Sequence, residues 1–162
     1  MPLRTKMEKS LTNPVAAGIE LRPAHGAEEL ASCFPVISAL RPALKDVSEW
    51  VERASDMATD GYRVLAAWEG PRVVAIAGYR TMVNLIYGQF LYVDDLVTLP
   101  DQRGKGLGSA LLTELSAIGL DEGCRCLVLD TAATNTDARR FYKREGLMDA
   151  VVGFVKPLGA AA

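Results

Sequence analysis

The stretch that most constrains this chain is residues 91–112, LYVDDLVTLPDQRGKGLGSALL. It begins as a strand: Tyr92, Val93, Leu96, Val97 and Leu99 form a β-branched and aromatic run, with Asp94 and Asp95 inside it. Pro100 and Asp101 break that run. Arg103, Gly104, Lys105, Gly106, Leu107 and Gly108 follow, and then Leu111, Leu115 and Ile118 recur at helical spacing. Glycines at a helix start let the backbone approach a ligand closely. The unpaired N–H groups of the first helical turn point the same way, and the helix dipole there favours negative charge. The physical reading is a pyrophosphate cradle, with Arg103 and Lys105 adding positive charge at its rim. A βα connection can also carry glycines without binding anything.

Two common nucleotide motifs fail on spacing. The dinucleotide fingerprint needs G-x-G-x-x-G, whereas Gly104, Gly106 and Gly108 stand as G-x-G-x-G. A Walker loop needs Ser or Thr directly after Gly-Lys, and Lys105 is followed by Gly106. The order Arg-x-x-Gly-x-Gly at Arg103, Gly106 and Gly108 resembles the acetyl-CoA signature of the GNAT superfamily of N-acetyltransferases. A second stretch, NTDARRFYKREG, places Asn135, Ala138, Phe141, Tyr142 and Gly146 in the order N-x-x-A-x-x-F-Y-x-x-x-G. It resembles the later helix of the same superfamily, which packs beside the pantetheine arm. Ala138, Phe141 and Tyr142 also make an apolar helix face, and the two readings are compatible. The resemblance covers roughly residues 19–158.

Composition narrows the alternatives. At 162 residues, 49% apolar and 23% charged, the chain has the size and balance of one globular domain. A net charge of −2 argues against a nucleic-acid partner, which needs a basic face. Three cysteines, Cys33, Cys124 and Cys126, give no disulfide framework, and with a single histidine they make no metal site. Cys124 and Cys126 read as neighbours on one face of a strand. Residues 1–18 show low periodicity and read as a mobile arm, residues 19–158 as the GNAT domain, and residues 159–162 as a tail. No signal-peptide or membrane-spanning run is seen, so the expectation is a cytoplasmic protein that does not engage a membrane; a homodimer stays open.

The periodicities predict a strand at residues 19–23 and a helix over 25–40, broken by Pro35, with His25 as a surface or capping residue. A second, amphipathic helix is predicted over 44–58. Strands over 62–68 and 72–82 form a hairpin, and a looser connection over 83–88 leads to the central strand. After the cradle helix come a strand over 126–130, the helix of Tyr142, and a last strand over 151–155. The order βααβββαβαβ mixes an antiparallel meander with crossovers. It makes an α/β (α+β) mixed-sheet, single-domain fold, as the resemblance implies.

The resemblance also implies a chemistry: acetyl transfer from acetyl-CoA directly to a primary amine, with no metal. The coenzyme contacts implied are Leu96, Val97 and Thr98, whose strand splays open to the pantetheine amides. Arg103, Gly104, Lys105, Gly106, Leu107, Gly108 and Ser109 are implied at the phosphates, and Asn135, Ala138 and Tyr142 near the thioester. Such a reaction needs a base for the amine and an acid for the leaving thiolate. Tyr142 is the candidate acid; a packed core ring is its other reading. Asn135 would equally serve as a helix N-cap. Tyr92-Val93-Asp94-Asp95-Leu96 resembles the acidic pair of the polyamine and thialysine acetyltransferases, which makes Asp94 the candidate base and both acids candidate holders of the substrate. Alternation along a strand sends Asp94 and Asp95 to opposite faces unless a bulge intervenes. One of the two could instead be structural, paired with an arginine such as Arg80. The acceptor expected is a small, cationic or amino-acid-like amine. A protein N-acetyltransferase acting on an N-terminus or lysine, and a non-catalytic acyl-CoA sensor, remain the alternatives.

Overall fold

The computed structural model describes residues 16–159, so the expectation for the arm mostly falls outside the described residues. Its contacts form two compact units, the first running to Asp130 and the second starting at Thr131.

The first unit is a five-stranded sheet in the order β1-β2-β3-β4-β5. The strands are β1 (Ile19–Pro23), β2 (Arg63–Glu69), β3 (Arg72–Asn84), β4 (Gly88–Thr98) and β5 (Leu127–Leu129). The first four pair antiparallel, and β4 pairs parallel with β5. Helices α1 (Gly26–Ser32), α2 (Phe34–Leu40) and α3 (Val47–Ala58) lie between β1 and β2. A 3-10 turn at Pro100–Gln102 and helix α4 (Leu107–Asp121) join β4 to β5.

The core lies on both faces of the sheet. On one, Leu107, Leu111 and Leu115 of α4 pack on Leu65, Val74, Leu91 and Val93. On the other, Val36 and Ile37 of α2 and Trp50 and Ala54 of α3 pack on Ala66, Ile76 and Val97. This two-sided burial explains why β2 and β3 read as continuous apolar runs rather than alternating ones.

Several boundaries depart from the sequence expectation. The helix over 25–40 is two helices, because Cys33 closes α1 and caps α2, whose first turn accepts Pro35 at no hydrogen-bond cost. Helix α3 starts at Val47 rather than at residue 44, because the Asp46 carboxylate accepts the Glu49 N–H at 2.9 Å and sets the cap. The connection expected over 83–88 is the end of a long hairpin, with only residues 85–87 outside the strands. Cys124 and Cys126 precede the short β5 instead of sharing a face within it.

The second unit contains α5 (Thr136–Arg144) and an irregular segment after it. The strand expected over 151–155 does not form: Val151, Val152, Phe154 and Val155 are exposed and join no ladder. β-branched and aromatic residues favour a strand only where a neighbour supplies ladder bonds and packing. The observed order is therefore βαααβββαβα, within the mixed α/β class expected.

Candidate functional site

The two acids of β4 sit at a β-bulge. Gly78 pairs with Asp95 and Tyr79 with Val93, so Asp94 is the extra residue on its strand. Leu91, Val93 and Leu96 all pack with the α4 face, while Val97 and Leu99 pack with the α1–α3 face. The two residues between Val93 and Leu96 thus both turn to the second face. This overturns the opposite orientation expected for Asp94 and Asp95, and the cause is the inserted residue.

Each acid is matched by an arginine. Arg80 donates from Nε and Nη2 to Oδ2 and Oδ1 of Asp94 at 3.0 and 3.1 Å, a two-pronged pair about four-fifths withdrawn from solvent. Arg41, the C-terminal cap of α2, donates from Nε to Oδ1 of Asp95 at 2.9 Å and from Nη2 to the Asp94 carbonyl at 3.1 Å. The buried Tyr62 hydroxyl donates to the other Asp95 oxygen at 2.8 Å. Burial, followed by the Asp95 charge, pushes the Tyr62 phenol far above its ordinary range, so it stays protonated and donating. The Arg80 guanidinium lies 5.5 Å over the Tyr62 ring. Tyr92 belongs to the same neighbourhood: its hydroxyl donates to Asp130 Oδ2 at 2.5 Å. Its phenol is pushed up to about 12, by burial first and then by Asp130, with Asp94 adding and Arg80 opposing.

Below the bulge the sheet opens. The last pair between β4 and β5 is Val93 with Leu129, yet β4 continues to Thr98. Residues 94–98, which include Leu96, Val97 and Thr98, therefore present one strand edge that no other described strand covers. Such an edge offers backbone N–H and C=O groups to an amide-bearing ligand.

The glycine loop follows. Gly104 and Gly106 have φ of 79° and 75°, the left-handed region that disfavours side chains, and the space where a Cβ would stand is open at both. Gly106 is the N-cap of α4, and no side chain caps that terminus. Leu107 anchors the turn in the core, and Gly108 and Ser109 form its first turn. Arg103 and Lys105 are exposed, and Lys105 Nζ donates to Oε1 of the buried Gln102 at 2.8 Å. An uncapped N-terminus of a helix of 15 residues, preceded by two left-handed glycines, fits a diphosphate on geometric grounds.

In the second unit, Asn135 caps α5: its side-chain oxygen accepts the Ala138 N–H at 3.1 Å. Tyr142 lies on the same helix, half-buried, with its ring centroid 5.4 Å from that of Phe141, and burial raises its phenol. The Tyr142 hydroxyl makes no hydrogen bond among the described residues. Arg139 and Arg140 are drawn into surface pairs with Asp149 and Asp137.

Sequence reasoning found the loop and the acids but missed Arg41, Tyr62, Gly78 and Asp130. The only hint of Gly78 was a glycine inside a strand pattern, which marks a bulge or close approach. An open groove of about 670 Å³ beside Tyr62, lined also by Leu30, Ala58 and Glu122, takes in no residue of the glycine loop. Glu122 caps the far end of α4, about 24 Å from Gly106 by helix rise.

The five-stranded mixed sheet, with its parallel crossover from β4 and a glycine-turned helix start, is a fold shared with solved acetyltransferases. The acetyltransferase (GNAT) family model matches residues 26–147, and the chain belongs to that family, as an acetyl-CoA-dependent acyltransferase. It is 30% identical to the uncharacterized N-acetyltransferase YhdJ of Bacillus subtilis (strain 168), over 76% of this chain and 87% of that one. It is 32% identical over 81 residues to the thialysine N-epsilon-acetyltransferase of Bos taurus, a match covering 50% of this chain and 48% of the bovine protein. An acetyltransferase of Trypanosoma brucei superposes with a TM-score of 0.73 over 86% of this chain and 99% of that one, at 24% identity, which speaks to the fold. No helix among the described residues is long and apolar enough to cross a membrane.

Proposed function

We propose that this chain transfers the acetyl group of acetyl-CoA to the primary amine of a small, amino-acid-like molecule. The observation that carries this reading is the uncovered edge of β4 over residues 94–98, with an acid–arginine network at one end and the glycine loop beyond the other. Leu96, Val97 and Thr98 would hold the pantetheine amides. The backbone from Arg103 to Ser109, with Lys105, would hold the phosphates. Bound there, the coenzyme supplies an activated acetyl thioester. Asn135 and Ala138 would flank its arm, and Tyr142 would protonate the departing thiolate.

Charge supports the choice of acceptor. Asp94 and Asp95 are each neutralised by an arginine, so the network is not the bare acidic trap a polyamine would need. The guanidinium of Arg41, half exposed, keeps N–H donors at the rim for an acid group on the acceptor. The relative that acts on thialysine, an amine that is also an amino acid, supports the same class.

The test is thiol release from acetyl-CoA with thialysine, lysine, 2-aminoethylphosphonate, spermidine and short peptides. Turnover of thialysine or 2-aminoethylphosphonate at least tenfold above spermidine and the peptides is expected. Faster turnover of peptides would make the chain a protein N-acetyltransferase. Tight coenzyme binding with no turnover would make it a sensor.

A further inference from the structure

Three carboxylates gather where β4 and β5 part, and they are held differently. Both oxygens of Asp94 are taken by the Arg80 fork. Those of Asp95 are taken by Arg41 and Tyr62. Asp130 is the first residue after β5, and it is exposed. Its Oδ2 accepts the Tyr92 hydroxyl, and its Oδ1 has no partner among the described residues.

A general base needs one oxygen open to the incoming proton and a second contact that fixes its direction. Of the three, Asp130 alone shows both. Its place is also apt, because Val93 pairs with Leu129, and the sheet opens at the next residue of each strand. We propose that Asp130, aimed by Tyr92, is the base that takes the proton of the acceptor amine, while Asp94 and Asp95 serve to build the floor of the site. This rests on the acetyltransfer to a small amine argued above. The ammonium gives one proton to Asp130 Oδ1, and the freed nitrogen lone pair attacks the thioester carbonyl carbon. The C–N bond forms, the C–S bond breaks, and the second amine proton ends on the thiolate by way of the acid. The proton on Asp130 returns to water. Asp130 faces the Tyr92 hydroxyl, and the other charged groups that bear on that tyrosine are Asp94, on its own strand, and Arg80 on β3.

The experiment is a pH–rate profile with acetyl-CoA and thialysine, or 2-aminoethylphosphonate if it is turned over faster, for the wild type and Asp130→Asn, Asp130→Ser, Tyr92→Phe and Asp94→Asn. Loss of a general base lowers kcat/KM by about a hundred- to ten-thousandfold near neutral pH. In both Asp130 variants the rate should then climb with pH as free amine accumulates, with acetyl-CoA affinity in a calorimeter unchanged. Tyr92→Phe should cost less, on the order of tenfold, and keep the wild-type slope, because the carboxylate stays but loses its aim. Asp94→Asn should show no alkaline recovery. An Asp130→Asn profile parallel to that of the wild type, or alkaline recovery in Asp94→Asn instead, would overturn the assignment while leaving acetyl transfer intact. Coenzyme binding by the wild type with turnover of none of the amines would overturn the small-amine reading and this assignment together.

Discussion

Gly78 shows how one residue without a side chain sets up the acidic network. A Cβ built there would stand 2.6 and 2.7 Å from Cζ and Cε2 of Tyr62 and would overlap its hydroxyl. The ring therefore lies against bare backbone, and this close approach lets its hydroxyl reach Asp95. Gly78→Ala is expected to destabilise the protein by about 1–3 kcal/mol, the range for overpacking a tight site. In urea unfolding, Tyr62→Ala should absorb much of that loss, giving a coupling of about 0.5–3 kcal/mol in a double-mutant cycle. Additive losses would mean that the two do not share the space. Tyr92 gives a second measurement. Burial is the first cause of its raised phenol and Asp130 the next, so Asp130→Asn should lower it from about 12 without returning it to 10. Ultraviolet difference titration against Tyr92→Phe isolates that phenol, and an unchanged midpoint would separate Tyr92 from Asp130. Motif order made Asp94, Gly106 and Tyr142 candidates from the sequence alone. Tyr62 and Arg41 were not, since they stand 33 and 54 residues from Asp95 and only folding brings them to it.

At the scale of elements, legibility followed how locally each one is determined. Helix α3 carries its own cap and apolar stripe, and the hairpin of β2 and β3 carries its own turn, so both were visible within a few residues. The bulge was not, because alternation along β4 says nothing of how many residues face one residue of β3. The strand expected over 151–155 failed for the complementary reason: propensity was present and a partner strand was not. Tethers between elements are equally non-local, and Glu122 at the end of α4 is one. It accepts from Arg63 of β2 at 2.6 and 3.0 Å and from Thr81 of β3 at 2.5 Å. Hydrogen bonding by Arg63 comes first and holds its carboxyl below the ordinary value of 4.5; burial opposes it, and the Thr81 hydrogen bond and the Arg63 charge add to the lowering. A depressed carboxylate adds stability that is fully present above its unfolded value and is lost as pH falls through the folded one. Stability should therefore decline below about pH 4.5 in the wild type, and Glu122→Gln should flatten that part of the curve relative to its own neutral value. An acid limb of equal slope in both proteins would leave the tether without a share in acid unfolding.

For the molecule as a whole, coenzyme binding and stability are linked, and the glycine loop is where the linkage can be tested. A ligand that binds only the folded chain stabilises it by RT ln(1 + [L]/Kd), about 2.7 kcal/mol at a hundredfold excess over Kd. Gly106 holds φ at 75° with no heavy atom within 4 Å of a built Cβ, so alanine there strains the backbone without meeting a neighbour. That strain costs about 1–2 kcal/mol, or a few degrees in Tm for a chain of this size. Gly70, in the turn between β2 and β3, has φ of 57° and the same open surroundings, far in sequence from the loop. Gly70→Ala and Gly106→Ala should thus lower the Tm of the free protein by similar amounts. They should part company when acetyl-CoA is added. Gly70→Ala is expected to keep the full coenzyme-induced rise in Tm, because its change is confined to a turn. Gly106→Ala places a methyl group at the uncapped helix start proposed to hold the phosphates, so it should lose most of the rise, with Kd weakened at least tenfold by calorimetry. Equal coenzyme responses in the two variants would remove the loop from the binding site and leave its left-handed glycines as features of the turn alone.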